Sequence, residues 1–131
     1  MNFATSILSP NSENYSYKNA SNMRMAILGC FFFSDVGTDS NNPFREWALV
    51  SVYGDTASGN CTFLEIFLRD NTKYVLPSDQ FSEDLVPTKL KMTVKQFIQL
   101  CDDWQEKVVK RKPKEVIIKH ALGEFLIETS D

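Results

Sequence analysis

The residues able to do chemistry are few and scattered. His120 is the only histidine in 131 residues, so a site built on two histidines is excluded. Its place between VIIK and LGEF reads as an exposed loop position. A cysteine–histidine nucleophile pair would need Cys30, Cys61 or Cys101 beside it. Cys101 falls on the apolar face of a helix and reads as inert, which leaves Cys61 the better placed. The three cysteines are widely spaced, odd in number and set in apolar runs. That pattern predicts buried, reduced thiols in a reducing cytosol, not a disulfide framework or a zinc site. Asp35 with Asp39, and Asp102 with Asp103, are acid pairs by position. The stretch Asp35-Val36-Gly37-Thr38-Asp39 starts like a calcium loop but is not completed as one, and reads as a solvated loop. The five glycines are dispersed and build no phosphate loop. Catalysis needs positioned acid–base groups, and this supply predicts no enzyme, no cofactor and no metal.

Charge is distributed unevenly. The chain carries a net −3, which argues against attraction of the whole molecule to nucleic acid or anionic lipid. Residues 1–84 carry a net −5, residues 85–120 a net +5 and the last eleven a net −3. The basic residues Lys107, Lys110, Arg111, Lys112 and Lys114 form the run KVVKRKPK, the candidate contact for nucleic acid. Positive charge at a helix C-terminus already accounts for it, and no aromatic residue interleaves the run to stack on bases. Sequons begin at Asn14, Asn19 and Asn60; with no signal-like run at the start they are read as chance. No apolar run approaches the roughly 18 residues of a membrane-spanning helix.

The elements that must position these residues centre on Thr93–Lys112. Val94, Phe97, Ile98, Cys101, Trp104 and Val108 recur at helical spacing, with Leu100 at the stripe's edge. Thr93 and Gln96 form a capping box, Met92 and Phe97 a hydrophobic staple, and Pro113 stops the helix. Residues 1–22, rich in Ser, Asn and Tyr, predict a flexible or surface-laid arm. Residues 23–131 predict a single α+β domain. Within it Met23–Phe33 reads as a buried strand, Arg45–Tyr53 as a second and Cys61–Arg69 as a third. Asp70-Asn71 reads as a tight turn and Lys73–Leu76 as a fourth strand. Ser78–Met92 is a long connection. Glu115–Lys119 and Glu124–Glu128 form a hairpin, with Gly123 supplying positive φ. The expected order is β-β-β-β-α-β-β: an antiparallel sheet of about six strands with one amphipathic helix on one face.

That architecture leaves apolar surface unspent. A helix is about 10 Å wide, whereas six strands span roughly 24 Å, so one face of the sheet is covered in part and the other not at all. In the third strand Thr62, Leu64, Ile66 and Leu68 should face the helix, and Phe63, Glu65, Phe67 and Arg69 should face away. Aromatic rings beside charges suit an interface. Trp47 and Tyr53 should join them, and Asp79, Glu83 and Asp84 could steer a basic partner. The expectation is a small cytoplasmic protein-binding domain whose partner is another protein, most concretely an inhibitor or immunity-type protein (an antitoxin) masking a toxin or enzyme. A homodimer through the same face and a nucleic-acid binder through the basic helix end are the alternatives.

Overall fold

The computed structural model describes residues 4–9, 16–20, 23–38, 42–60, 62–79 and 92–130. The fold is α+β, with two antiparallel sheets in place of the single six-stranded sheet expected. The elements run β1 (Ala4–Ser9), β2 (Ser16–Ala20), α1 (Met23–Cys30), α2 (Pro43–Leu49), β3 (Thr56–Ser58), β4 (Thr62–Arg69), β5 (Thr72–Asp79), β6 (Met92–Thr93), α3 (Val94–Trp104), β7 (Glu115–Ala121) and β8 (Glu124–Ser130). Both α1 and α3 continue into a wider π-helical turn, Phe31–Val36 and Gln105–Val109 respectively.

The first sheet has the order β2-β1-β7-β8 and the second β3-β4-β5-β6. Residues expected to form an arm therefore supply two strands, and β1 lies between β2 and the C-terminal hairpin, with Leu8 opposite Val116. α1 touches β1, β2 and β7 of one sheet and β5 of the other, while α3 touches β8 of one and β5 and β6 of the other. One core results. It joins Leu8, Val116, Ile118 and Ile127 to Leu64, Ile66, Val75 and Met92 through the helical side chains between them.

Two expected strands are helices. Met23–Phe33 is apolar on nearly every side, and periodicity cannot separate a buried strand from a buried helix in such a run. Here Met25, Leu28, Phe32 and Val36 are buried at spacings of three and four, because the segment is wedged between sheets and needs no polar face. The stretch from Pro43 is the second. The Asn42 carboxamide oxygen accepts the N–H groups of Phe44 and Arg45 at 3.0 and 3.4 Å, with Pro43 at the first helical position and Glu46 in the first turn. Those are helix-start signals, and they outrank the loose alternation of REWALVSVY.

The helix at the centre matches its expectation closely. Thr93 Oγ1 accepts the Gln96 N–H at 3.0 Å, and Gln96 Oε1 accepts the Thr93 N–H at 3.0 Å. Val94, Phe97, Leu100, Cys101, Trp104 and Val108 are buried. Trp104 stacks at a tilt on Phe32 with centroids 5.1 Å apart, and its indole N–H donates to the Gly37 carbonyl at 2.8 Å. The turns hold as well. Asp70 and Asn71 take φ of 51° and 64°, and Leu122 and Gly123 take 54° and 77°, the paired positive values of a two-residue hairpin turn.

Trp104→Ala should lower the free energy of unfolding by about 3–5 kcal/mol, the range for a large buried aromatic. Trp104→Phe, which keeps a ring on Phe32 and loses only the N–H, should cost distinctly less. Urea melts of the two variants give the comparison, and equal losses would contradict the packing role assigned to the ring.

Candidate functional site

Most of the chemistry-bearing residues among those described are engaged in structure. His120 lies within β7, not in a turn as expected. It is half-buried, opposite Phe125 in register, with the rings stacked 4.3 Å apart and 9° from parallel. Asp102 accepts from Arg45 Nε at 2.6 Å, and Asp103 accepts from Gln99 Nε2 at 3.0 Å. Asp35 Oδ1 accepts the Asn60 N–H at 2.7 Å; Asp39 lies outside the described residues. Cys101 is buried and free. Burial pushes its thiol up to about 12, while the Asn42 side chain beside it and Arg45 pull the other way. Cys30 corrects the expectation of three reduced thiols: it is disulfide-bonded. Cys61 lies outside the described residues. Among the described residues no group of three or more His, Cys, Asp or Glu could hold a metal ion.

The proposed partner surface divides in two. On β4, Thr62, Leu64 and Ile66 are buried while Glu65 and Arg69 are exposed and Phe63 and Phe67 half-buried. The pleat thus follows the expected parity, except that Leu68 has passed beyond the core and is exposed. Phe67 stacks on Tyr74 of β5, its partner in register, with centroids 5.2 Å apart. Trp47 does not join this face: it belongs to α2 and packs half-buried against the core. Asp79 is the last residue of β5. Glu83 and Asp84 lie outside the described residues.

Apart from Leu122 in the β7–β8 turn, which is 83% exposed, the most exposed apolar side chains among the described residues lie where α2 gives way to β3. Leu49, Val50, Val52 and Tyr53 are 47%, 79%, 62% and 71% exposed, and Leu68 is 48% exposed. Of these the sequence singled out only Tyr53. The segment is not loosely held. Ser51 is buried; its Oγ donates to the Ala48 carbonyl at 2.7 Å, and its own carbonyl accepts from Lys73 Nζ at 2.7 Å. Asp55 Oδ2 accepts the Val52 N–H at 2.8 Å. The Gly54 N–H donates to Ile66 O at 3.0 Å, and Asp55 O accepts the Ile66 N–H at 2.9 Å. These last two bonds lay the loop along β4. Since Lys73 is opposite Leu68 in register, the Lys73 bond brings Ser51 to that same end of the hairpin. Four apolar side chains are thus held outward by a fixed backbone, at the same end of the hairpin as Leu68. The signal for this was readable: if Asn42-Pro43 starts a helix, Val50-Ser51-Val52-Tyr53 becomes a connection, and an apolar connection is anomalous.

An open groove of about 490 Å³ adjoins this end, lined by Asn71, Thr72, Lys73, Thr93, Val94, Lys95, Ile98 and Gln99. Lys73, already bonded to Ser51, joins groove and loop. The basic helix end is partly spent. Lys107 Nζ donates to the Ile127 carbonyl at 3.0 Å, and Lys110 pairs with Glu106 at 2.9 Å. Arg111, Lys112 and Lys114 are exposed. Among the described residues no helix is long and apolar enough to cross a membrane. Comparison of the chain with protein-family models, curated proteins and solved structures finds no match.

Replacing Val50 and Val52 together by Ser should change stability by no more than about 0.5 kcal/mol per site, since neither side chain supports the core. Ser51→Ala, which removes the bond to Ala48, should cost about 1 kcal/mol or more. Thermal melts compare them, and a large loss in the double variant would mean that the valines serve the fold.

The Cys101 shift also fixes a pH dependence. The unfolded thiol ionises near its ordinary value of 9.0, whereas the folded one holds its proton to about 12. Between those values the native state binds the extra proton, so stability falls as pH rises, by up to about 1.4 kcal/mol per pH unit. Cys101→Ala should flatten that alkaline decline in denaturation midpoints between pH 9 and 12. An unchanged slope would show the thiol to be accessible.

Proposed function

We propose that this chain is a protein-binding domain that works through a surface and not through catalysis. Its most concrete form is an inhibitor or immunity-type protein that masks a toxin or enzyme. The observation that carries the reading is the Leu49–Tyr53 segment. A large apolar side chain in a connection ordinarily turns inward or is replaced, because exposing it opposes folding and invites association. Here four are held outward by side-chain and backbone bonds from Ser51, Lys73 and Asp55. A fixed loop binds without a large ordering cost, since its conformation is already set. Tyr53 supplies the aromatic anchor that interface centres favour, with Arg69 and Glu65 as a polar rim. The acidic net charge of −3 would speed encounter with a basic partner.

The test is capture of a partner by the full chain from its native host, repeated with a Val50→Asp, Val52→Asp, Tyr53→Ala variant. A protein retained by the wild type should be lost by this variant, at least tenfold in apparent affinity. It should be kept when Arg111 and Lys112 are changed to Gln. Retention by the loop variant would overturn the assignment of the surface. Light scattering that showed a dimer dispersed by the loop substitutions would make a second copy of the chain the occupant. Salt-sensitive retention on nucleic acid, lost with Arg111 and Lys112, would transfer function to the basic helix end.

A further inference from the structure

We infer that the Cys30 disulfide is a structural latch suited to an oxidising compartment, locking the point where α1 widens into its π-helical turn, with the third thiol walled off from it. Cys30 is disulfide-bonded and Cys101 is the free thiol, in a chain with three cysteines. The ground around Cys30 is fixed independently of the sulfur. Five residues on, Asp35 Oδ1 takes the N–H of Asn60 at 2.7 Å. The adjoining Gly59 lies so close that a side chain there would collide with the Asp35 carboxylate. Its N–H in turn donates to the Thr62 carbonyl at 2.8 Å. The π-helical turn and the approach to β4 are therefore clamped together next to the oxidised cysteine.

Cys30 is the residue from which that turn starts. The residues that follow Cys30 are the core aromatics Phe31 and Phe32, both buried and in ring contact with Phe97 and Trp104 of α3. Anything that fixes this turn fixes the aromatic centre. Cys101 sits elsewhere, against α2, where Asn42 and Arg45 act on its sulfur. It is only 2% exposed. Exchange needs a thiolate that can reach the disulfide, and a buried thiol that keeps its proton to about 12 offers none at neutral pH.

Formation of the link removes two electrons and two protons from two thiols. They pass to an acceptor disulfide, which leaves as the corresponding pair of thiols. Such acceptors prevail outside the reducing cytosol, so the compartment inferred here differs from the one the cysteine spacing suggested.

The experiment counts thiols in the full chain produced by export to an oxidising compartment, using an aromatic disulfide reagent. The native protein should show none, the denatured but unreduced protein one, and the reduced, denatured protein three. A non-reducing peptide map should show the Cys30 peptide in a disulfide link and the Cys101 peptide free of one. A dithiol reductant added to the native protein should lower its Tm by about 10 °C. Cys101→Ala should leave that shift in place. Three thiols without reductant, a link to Cys101, or a Tm indifferent to reductant would each overturn the inference. The counts use wild-type protein and so stand even where a Cys30→Ala variant fails to fold.

Discussion

The fold rests on one constraint: two sheets share a single set of helices. α3 touches β8 on one side and β5 and β6 on the other, so its apolar stripe must serve both. Polar groups at its two ends fasten it further. At its start Gln96 completes the cap with Oε1 and uses Nε2 to hold the Gly123 carbonyl at 2.7 Å, which fixes the β7–β8 turn. At its end Trp104 binds the Gly37 carbonyl, and a turn later Lys107 binds a carbonyl of β8. Each bond joins the helix to a different element. A shift of α3 would therefore break several long-range contacts together, which is how a core of this size acquires a single arrangement.

The same constraint explains where apolar surface is left over. Both α1 and α3 are used up between the sheets. α2 is only seven residues long and is held against α3 by Arg45, whose guanidinium Asp102 keeps firmly protonated. It ends at Leu49, short of the second sheet's edge, and the chain must cross to β3 in a few residues. Ser51 is the one side chain of that crossing that turns inward, so its neighbours are directed outward by geometry. The candidate surface therefore comes from a helix that stops early. It does not come from a lone helix failing to roof two faces of one sheet, which was the picture drawn from the sequence. Phe63 and Phe67, on which that picture leaned, are half-buried, and Phe67 is stacked on Tyr74.

What could be read in the sequence follows from locality. The capping box at Thr93 and Gln96, the stripe from Val94 to Val108, the Asp70-Asn71 turn and the hairpin around Gly123 are all set by residues a few positions apart. β4 was legible because its pleat alternates. Met23–Phe33 was not, since burial on every side erases the period that separates helix from strand. β1 and β2 were hidden for another reason. β1 pairs with β7 across almost the whole chain, which leaves no mark in a window of ten residues, and β2 pairs only with β1 at the sheet's edge. The helix at Pro43 is legible in Asn42, Pro43 and Glu46, which spell its start, while the alternation of REWALVSVY points the other way.

The chemistry-bearing residues share a final feature that bears on function. Asp35, Asp102, Asp103 and Arg45 are each bound to a group on the protein itself, and His120 is stacked on its cross-strand neighbour. A group so engaged must first give up its partner before it can move a proton or bind a ligand. The apolar loop is the opposite case. Its backbone is held at Ser51, Val52, Gly54 and Asp55 while its apolar side chains stay exposed, so contact with another molecule removes exposed area without breaking those bonds. The two kinds of residue are thus sorted by what each would lose on meeting a ligand, and by that measure the loop is the part of this molecule readiest to bind.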